Sequence, residues 1–263
     1  MKRFITDSQT MEDLNILGKF RRNSIFSIFN RMVTKGGEAL LHQMFLAPLT
    51  DHSSINERSA IFKFFAQQES KFPLSAPQVE DFQQYLDIPA KPSRISSIFY
   101  FGLLKLKGLI FKDDQYQQMQ RYLLSAIALF SQLNSFLSRE NSPGPYHKRM
   151  QEIRQILSLP ELRKILSLDG VQELPYLQLA LADYFIKEKL QPQMTELLGF
   201  LHALDLFIGV SSVGRALDFN YGQALSAELS VLEVERLQHP TLTGAVSNDL
   251  AFVGKGRLMF LTG

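Results

Sequence analysis

From Tyr116 to Leu137 the residues Tyr116, Met119, Leu123, Ala126, Phe130, Leu133 and Leu137 recur at alternating steps of three and four. That spacing sets all seven on one line down a helix of about Asp114 to Ser138, an apolar seam of coiled-coil type. A stripe this long exists to be packed, against other helices of the chain or against a partner. Asn141-Ser142-Pro143-Gly144-Pro145 stops the helix firmly.

The flanking sequence is helical as well. Asn30 to Leu49 carries Leu40, Leu41, Met44 and Phe45 on one side, and Ile55 to Phe65 is opened by the polar run Asp51-His52-Ser53-Ser54. Ser75 and Gln78 have capping-box spacing ahead of Val79, Phe82 and Leu86. Pro89 and Pro92 break the chain, and Ile95 to Phe111 follows as its most membrane-like stretch. It carries Lys105 and Lys107 and is short for a bilayer, so it is expected to be a buried helix pair rather than a span. Shorter helices are expected at His147–Leu157 and Pro160–Leu166. Leu174–Leu190 and Met194–Val213 should form a packed pair with Pro192 at the corner.

After Tyr221 the pattern changes. Val231-Leu232-Glu233-Val234 alternates as a strand does, and so does Arg257-Leu258-Met259-Phe260-Leu261, with Gly254-Lys255-Gly256 as a turn. The fold expected is therefore mainly α: a helical domain over residues 1–221, then residues 222–263 as the start of a β-containing domain.

Composition narrows the chemistry. With 45% hydrophobic residues the chain can build a core, and a net charge of +2 gives no general attraction to DNA. It has no cysteine, which removes disulfides and thiolate metal sites and fits a reducing cytoplasm. The histidines His42, His52, His147, His202 and His239 form no His-Glu-x-x-His pair, so no metal site is expected. No nucleophile elbow and no complete phosphate loop is present, and no catalytic residue is expected. Lys19, Arg21 and Arg22 make the tightest basic cluster, with Lys148 and Arg149 a smaller one. Either is a candidate for a nucleic-acid backbone, or simply a solvated surface.

Two stretches carry a resemblance. Thr34-x-Gly36-Gly37, Pro48-Leu49-x-Asp51 and Ile55-x-x-Arg58 stand in the order and at the distances found at the opening of the MutS core domain. Asp7, Thr10, Leu14, Ser24-Ile25-Phe26, Asn30, Leu41 and Ile61 extend that match. Towards the end, Leu204-Asp205 resembles the late core helix, and Asn220-Tyr221 the aromatic exit from it. His239-Pro240 and Val246-x-Asn248-Asp249 resemble the opening of the family's ATPase domain. Leu258 to Gly263 looks like the strand that enters its phosphate loop.

The resemblance implies a short MutS-like mismatch-repair protein without the mismatch-reading and connector domains. None of its 21 Phe residues sits in the family's Phe-x-Glu motif, and the clamp is expected to be missing or reduced. It also implies that the natural chain continues past Gly263 into Pro-Asn-Met-x-Gly-Lys-Ser. The parent would then be a DNA-dependent ATPase using ATP and Mg²⁺, dimeric through its ATPase domain and cytoplasmic. This chain would be its non-enzymatic lever. Thr34, Gly36 and Gly37 are expected to serve core architecture. Val246, Ser247 and Asn248 are expected at the nucleotide edge, beside an Ala245 that cannot stack on adenine. The alternative is a helical scaffold derived from the MutS core that binds a protein or a membrane surface and recognises no mismatch.

Overall fold

The computed structural model describes residues 8–18, 24–111, 114–140, 142–226, 228–240 and 244–253. Among these, the first half forms α1 (Ser8–Asp13), α2 (Ile25–Phe29), α3 (Lys35–Leu46), α4 (His52–Gln68), α5 (Ala76–Asp87) and α6 (Arg94–Phe111). The long α7 (Gln115–Arg139) is followed by α8 (His147–Leu157), α9 (Pro160–Leu166) and α10 (Tyr176–Tyr184). A π-helical turn at Phe185–Lys189 leads into α11 (Gln191–Ala216), and β1 (Val231–Leu237) pairs antiparallel with β2 (Asn248–Val253). The protein is mainly α. Arg257–Leu261 and the Gly254–Gly256 turn lie outside the described residues.

The chain forms two compact units, and two of its helices contribute to both. The larger comprises Met32–Gly37 and Lys71–Leu206. Its axis is α7, and all seven seam residues are buried, from Tyr116 at 8% exposed to Leu137 at 0%. The stripe is thus consumed by packing within the chain. Helix α5 lies along it with Val79, Phe82 and Tyr85 buried, and the Phe82 and Phe130 rings meet edge to face at 5.4 Å. Gln78 Oε1 accepts from the Ser75 amide and hydroxyl at 2.9 Å each, which fixes the start of α5.

Ile95–Phe111 departs from expectation. It belongs to one uninterrupted helix, α6, not a pair, and only one side of it is buried. Ser97, Phe101 and Leu104 face inward, and the Ser97 hydroxyl donates to Ala180 O at 2.8 Å. The opposite side carries exposed Ile95, Phe99 and Ile110. A run of near-continuous apolarity hides its period, and only the neighbouring α10 and α7 decide which face is covered. Helix α11 is long and apolar enough to cross a membrane by length and composition, yet 61% of its most apolar stretch is buried, as in the core helix of a bundle.

The π turn between α10 and α11 brings Lys187 inward. Its Nζ lies 3.0 Å from Asp183 Oδ1 and 4.1 Å from the Tyr85 ring centre, while the Tyr85 hydroxyl donates to Asp183 Oδ1 at 3.0 Å. All three side chains are buried, and the Asp183 carboxylate ties them together through the ion pair with Lys187 and the hydrogen bond from Tyr85. Burial lowers the Lys187 pKa against the opposing pull of Asp183. Burial, then the Asp183 charge, holds the Tyr85 phenol well above its usual range.

The second unit comprises the described residues of Met1–Arg31, Glu38–Ser70 and Phe207–Gly263. Helix α4 is capped by Asp51, whose carboxylate accepts from the Ser54 amide at 2.8 Å. Phe62 and Phe65 pack on Phe207 with centroids 5.4 and 6.5 Å apart, and the Ser211 hydroxyl donates to Phe62 O at 2.9 Å. Asn56 grips the chain beyond the last helix: its amide donates to Ala224 O at 2.9 Å and its carbonyl accepts from Ala224 N at 2.8 Å. Phe130→Ala should cost about 3–5 kcal/mol, because a fully buried ring is removed from a dense seam. Urea unfolding of the variant checks this, and a loss below about 1 kcal/mol would show that the seam is not the core.

Candidate functional site

Thr34 stands immediately before α3, in a buried and densely hydrogen-bonded polar site. The Gly37 amide donates to Thr34 Oγ1 at 3.0 Å, the N-cap bond that satisfies one of the helix's free amides. Thr34 is in turn held by Asp205, which lies mid-way along α11. The Val33 and Thr34 amides donate to Asp205 Oδ1 and Oδ2 at 3.0 and 2.7 Å, and the Thr34 hydroxyl donates to Oδ2 at 2.7 Å. Asp205 is 1% exposed and Thr34 3%. A carboxylate buried this deeply is tolerable only with its oxygens satisfied, and three donors do so here.

The two glycines let α11 come this close. A Cβ on Gly37 would stand 2.5 Å from Asp205 Oδ2, and one on Gly36 would overlap the His202 ring. His202 lies one turn before Asp205 on the same helix, so α11 presents imidazole and carboxylate together to the first turn of α3. The Thr-x-Gly-Gly element and the Leu204-Asp205 element, 167 residues apart from Gly37 to Leu204, are the two halves of one latch. Thr34, Gly36 and Gly37 thus serve architecture. Burial lowers the His202 pKa from its ordinary 6.5, and the charge of Asp205 opposes the shift without cancelling it.

The other motif residues take separate places. Tyr221 lines an apolar cavity of about 360 Å³ with Phe29, Leu41, Phe45 and Phe219, and its hydroxyl approaches Gly214, where a Cβ would stand 3.0 Å away. Val246, Ser247 and Asn248 lead into β2. Val246 is 81% exposed, and the Asn248 side-chain Nδ2 donates to Val246 O at 3.4 Å. Asp249 Oδ1 accepts from the Arg236 amide at 2.7 Å, where β1 is irregular between Val234 and Leu237 and Arg236 has φ 52°. Asp249 therefore satisfies an amide that the irregular ladder leaves without a strand partner. His239 and Ala245 sit on the connection between the strands, exposed and half-buried respectively.

Lys19, Arg21 and Arg22 lie outside the described residues. Arg149 is paired at 2.9 Å with Glu152 and at 2.6 Å with Glu196. Burial alone would lower its pKa, but the hydrogen bonds to these glutamates outweigh that and raise it. Its charge is spent within the protein, leaving Lys148 beside it. Among the described residues no three His, Asp or Glu side chains gather as a metal site.

Sequence reasoning named Asp205 but not its partner, and passed over His202. The signals were present: a lone carboxylate in the apolar run Leu201–Val213, and two adjacent glycines where a second segment must approach closely.

Asp205→Ala should destabilise the protein by about 3–5 kcal/mol, since two amides and a hydroxyl lose their acceptor, and Asp205→Asn by less. Chemical denaturation of both variants measures this; equal, small losses would refute the latch. A second expectation concerns pH. Because the His202 pKa is lower folded than unfolded, the unfolded state takes up the proton more readily. Stability therefore falls as pH drops from 6.5 toward the folded value. Comparing urea midpoints at about pH 7.5 and about pH 5.5, His202→Gln should lose less than the parent protein. An identical loss would assign the acid sensitivity elsewhere.

No curated protein matches this chain. The family model described as MutS domain III matches residues 9–196, more than two thirds of the 263 residues, and so takes in the Thr34–Gly37 half of the latch. The mainly helical bundle around α7 agrees with that domain, the helical core and lever region of MutS. The chain belongs to the MutS family of DNA mismatch-repair proteins.

Proposed function

We propose that this chain is the helical lever of a MutS-type ATPase and couples ATP state to DNA engagement. The observation that carries the reading is the Asp205 latch. It ties the start of α3 to the middle of α11, a single helix of 26 residues. The far end of α11 leads through Tyr221 to the Asn56 grip on Ala224 and on to the β-hairpin. A displacement at the far end of α11 would be carried along this one helix to the latch.

In this reading residues 222–263 open the ATPase domain. Support comes from β1, which leaves Leu232 51% and Leu237 48% exposed, an apolar surface of the kind a larger sheet and its covering helices would bury. ATP and Mg²⁺ would be bound mainly by other parts of the parent's ATPase domain. An exposed Val246 beside the Asn248 amide fits the rim of a nucleobase site, with an apolar surface and one polar edge, and holds no group suited to phosphate or Mg²⁺. Ser247 completes that edge. The parent would dimerise through its ATPase domain, act on DNA in the cytoplasm, and leave this segment no catalytic role of its own.

The test uses the complete parent protein. Binding to duplex, mismatched and branched DNA should weaken steeply with salt and change on ATP addition. Asp205→Asn should keep ATP binding and lose the ATP-dependent change in DNA affinity. No DNA binding at any salt, or an unchanged ATP response in the variant, would overturn the reading.

A further inference from the structure

Among the described residues, the outer side of α6 carries more exposed large apolar side chains than any other helix or strand. Of the twenty large apolar side chains that are strongly exposed among the described residues, seven belong to this helix. Ile95, Phe99, Leu103, Leu106 and Ile110 are 81%, 74%, 42%, 52% and 61% exposed. At 3.6 residues per turn these five fall within an arc of about 80°. The buried Ser97, Phe101 and Leu104 centre on nearly the opposite side. Helix α6 is therefore apolar on two faces, and only one has a partner. A few scattered apolar side chains on a surface need no explanation, but a continuous row along an 18-residue helix marks a contact.

The charge around the row says what kind of contact. Between Asp87 and Asp113 the sequence holds Lys91, Arg94, Lys105, Lys107 and Lys112 and no acidic residue. Lys105 and Lys107 fall on opposite flanks of the row. Aromatic rings hold three of the cations: Lys91 is 3.9 Å from the Tyr100 ring centre, Arg94 5.0 Å from Phe185 and Lys105 5.8 Å from Tyr176. No carboxylate among the described residues pairs with Lys91, Arg94, Lys105 or Lys107, so their charge is not neutralised. A row of Phe, Leu and Ile edged by uncompensated Lys and Arg is the pattern of a helix lying in the plane of a bilayer interface. Its apolar side enters the acyl boundary and its cations meet anionic headgroups. A second copy of this helix would bring like charges together, and a nucleic acid would gain nothing from the apolar centre.

We propose that the outer face of α6 docks on an anionic lipid surface, with Phe99 and Leu106 inserted and Lys105 and Lys107 at the headgroups. The test is sedimentation of the 263-residue chain with vesicles of phosphatidylcholine alone or with about one third phosphatidylglycerol. Binding should occur to the anionic vesicles and fall with salt. Phe99→Glu with Leu106→Glu should weaken it at least about tenfold, and Lys107→Glu should weaken it on anionic vesicles. Both apolar positions are exposed, so the fold should tolerate the change. Ile110→Glu is a second variant on the same face if melting shows otherwise. No vesicle binding, equal binding to neutral and anionic vesicles, or binding that survives the glutamates would overturn the proposal. So would light scattering that shows a dimer dissolved by the same substitutions, or a loss of duplex DNA binding in their place.

Discussion

Everything distinctive about this protein depends on one buried carboxylate. Asp205 sits in an otherwise apolar run of α11, where an unpaired charge would be prohibitively costly. Its cost is met because the chain supplies three donors from a single short segment, Val33 and Thr34. Those donors are in place only if α3 starts at Lys35, and the approach is open only if residues 36 and 37 have no side chains. Helix start, glycine pair and late helix are thus one constraint written at two places in the sequence. A charge satisfied in one geometry alone also has no intermediate position, which suits an element that transmits a displacement rather than absorbing it.

The same logic recurs at lower stakes. Asp183, Lys187 and Tyr85 close a second buried polar cluster where the π turn separates α10 from α11. The π turn alters the helical phase, and Lys187 lands where it meets both the carboxylate and the face of the phenol ring. In the second unit the polar work goes to the backbone, with Asn56 holding Ala224 and Asp249 holding the Arg236 amide. Each is a side chain completing a backbone that leaves regular structure, so the non-helical parts are placed by individual bonds rather than by burial.

The sequence by itself determined most of the helices and the core along α7. The three-four seam of α7 can be read in one dimension because its periodicity is a property of the helix, and every seam residue is indeed buried. The same holds for the ends of α8 and α9, set by local proline and turn chemistry, and for the Ser75–Gln78 box. The Thr-x-Gly-Gly and Leu-Asp elements were also visible, but as two separate signs of resemblance. Only the tertiary structure decided that they meet, because a hydrogen bond between residues 171 positions apart leaves no periodic trace in the chain. It likewise decided that Arg149 is spent on Glu152 and Glu196 and that Asp249 serves the hairpin backbone. It left one side of α6 bare, because an apolar helix does not itself specify which of its faces a neighbour will cover.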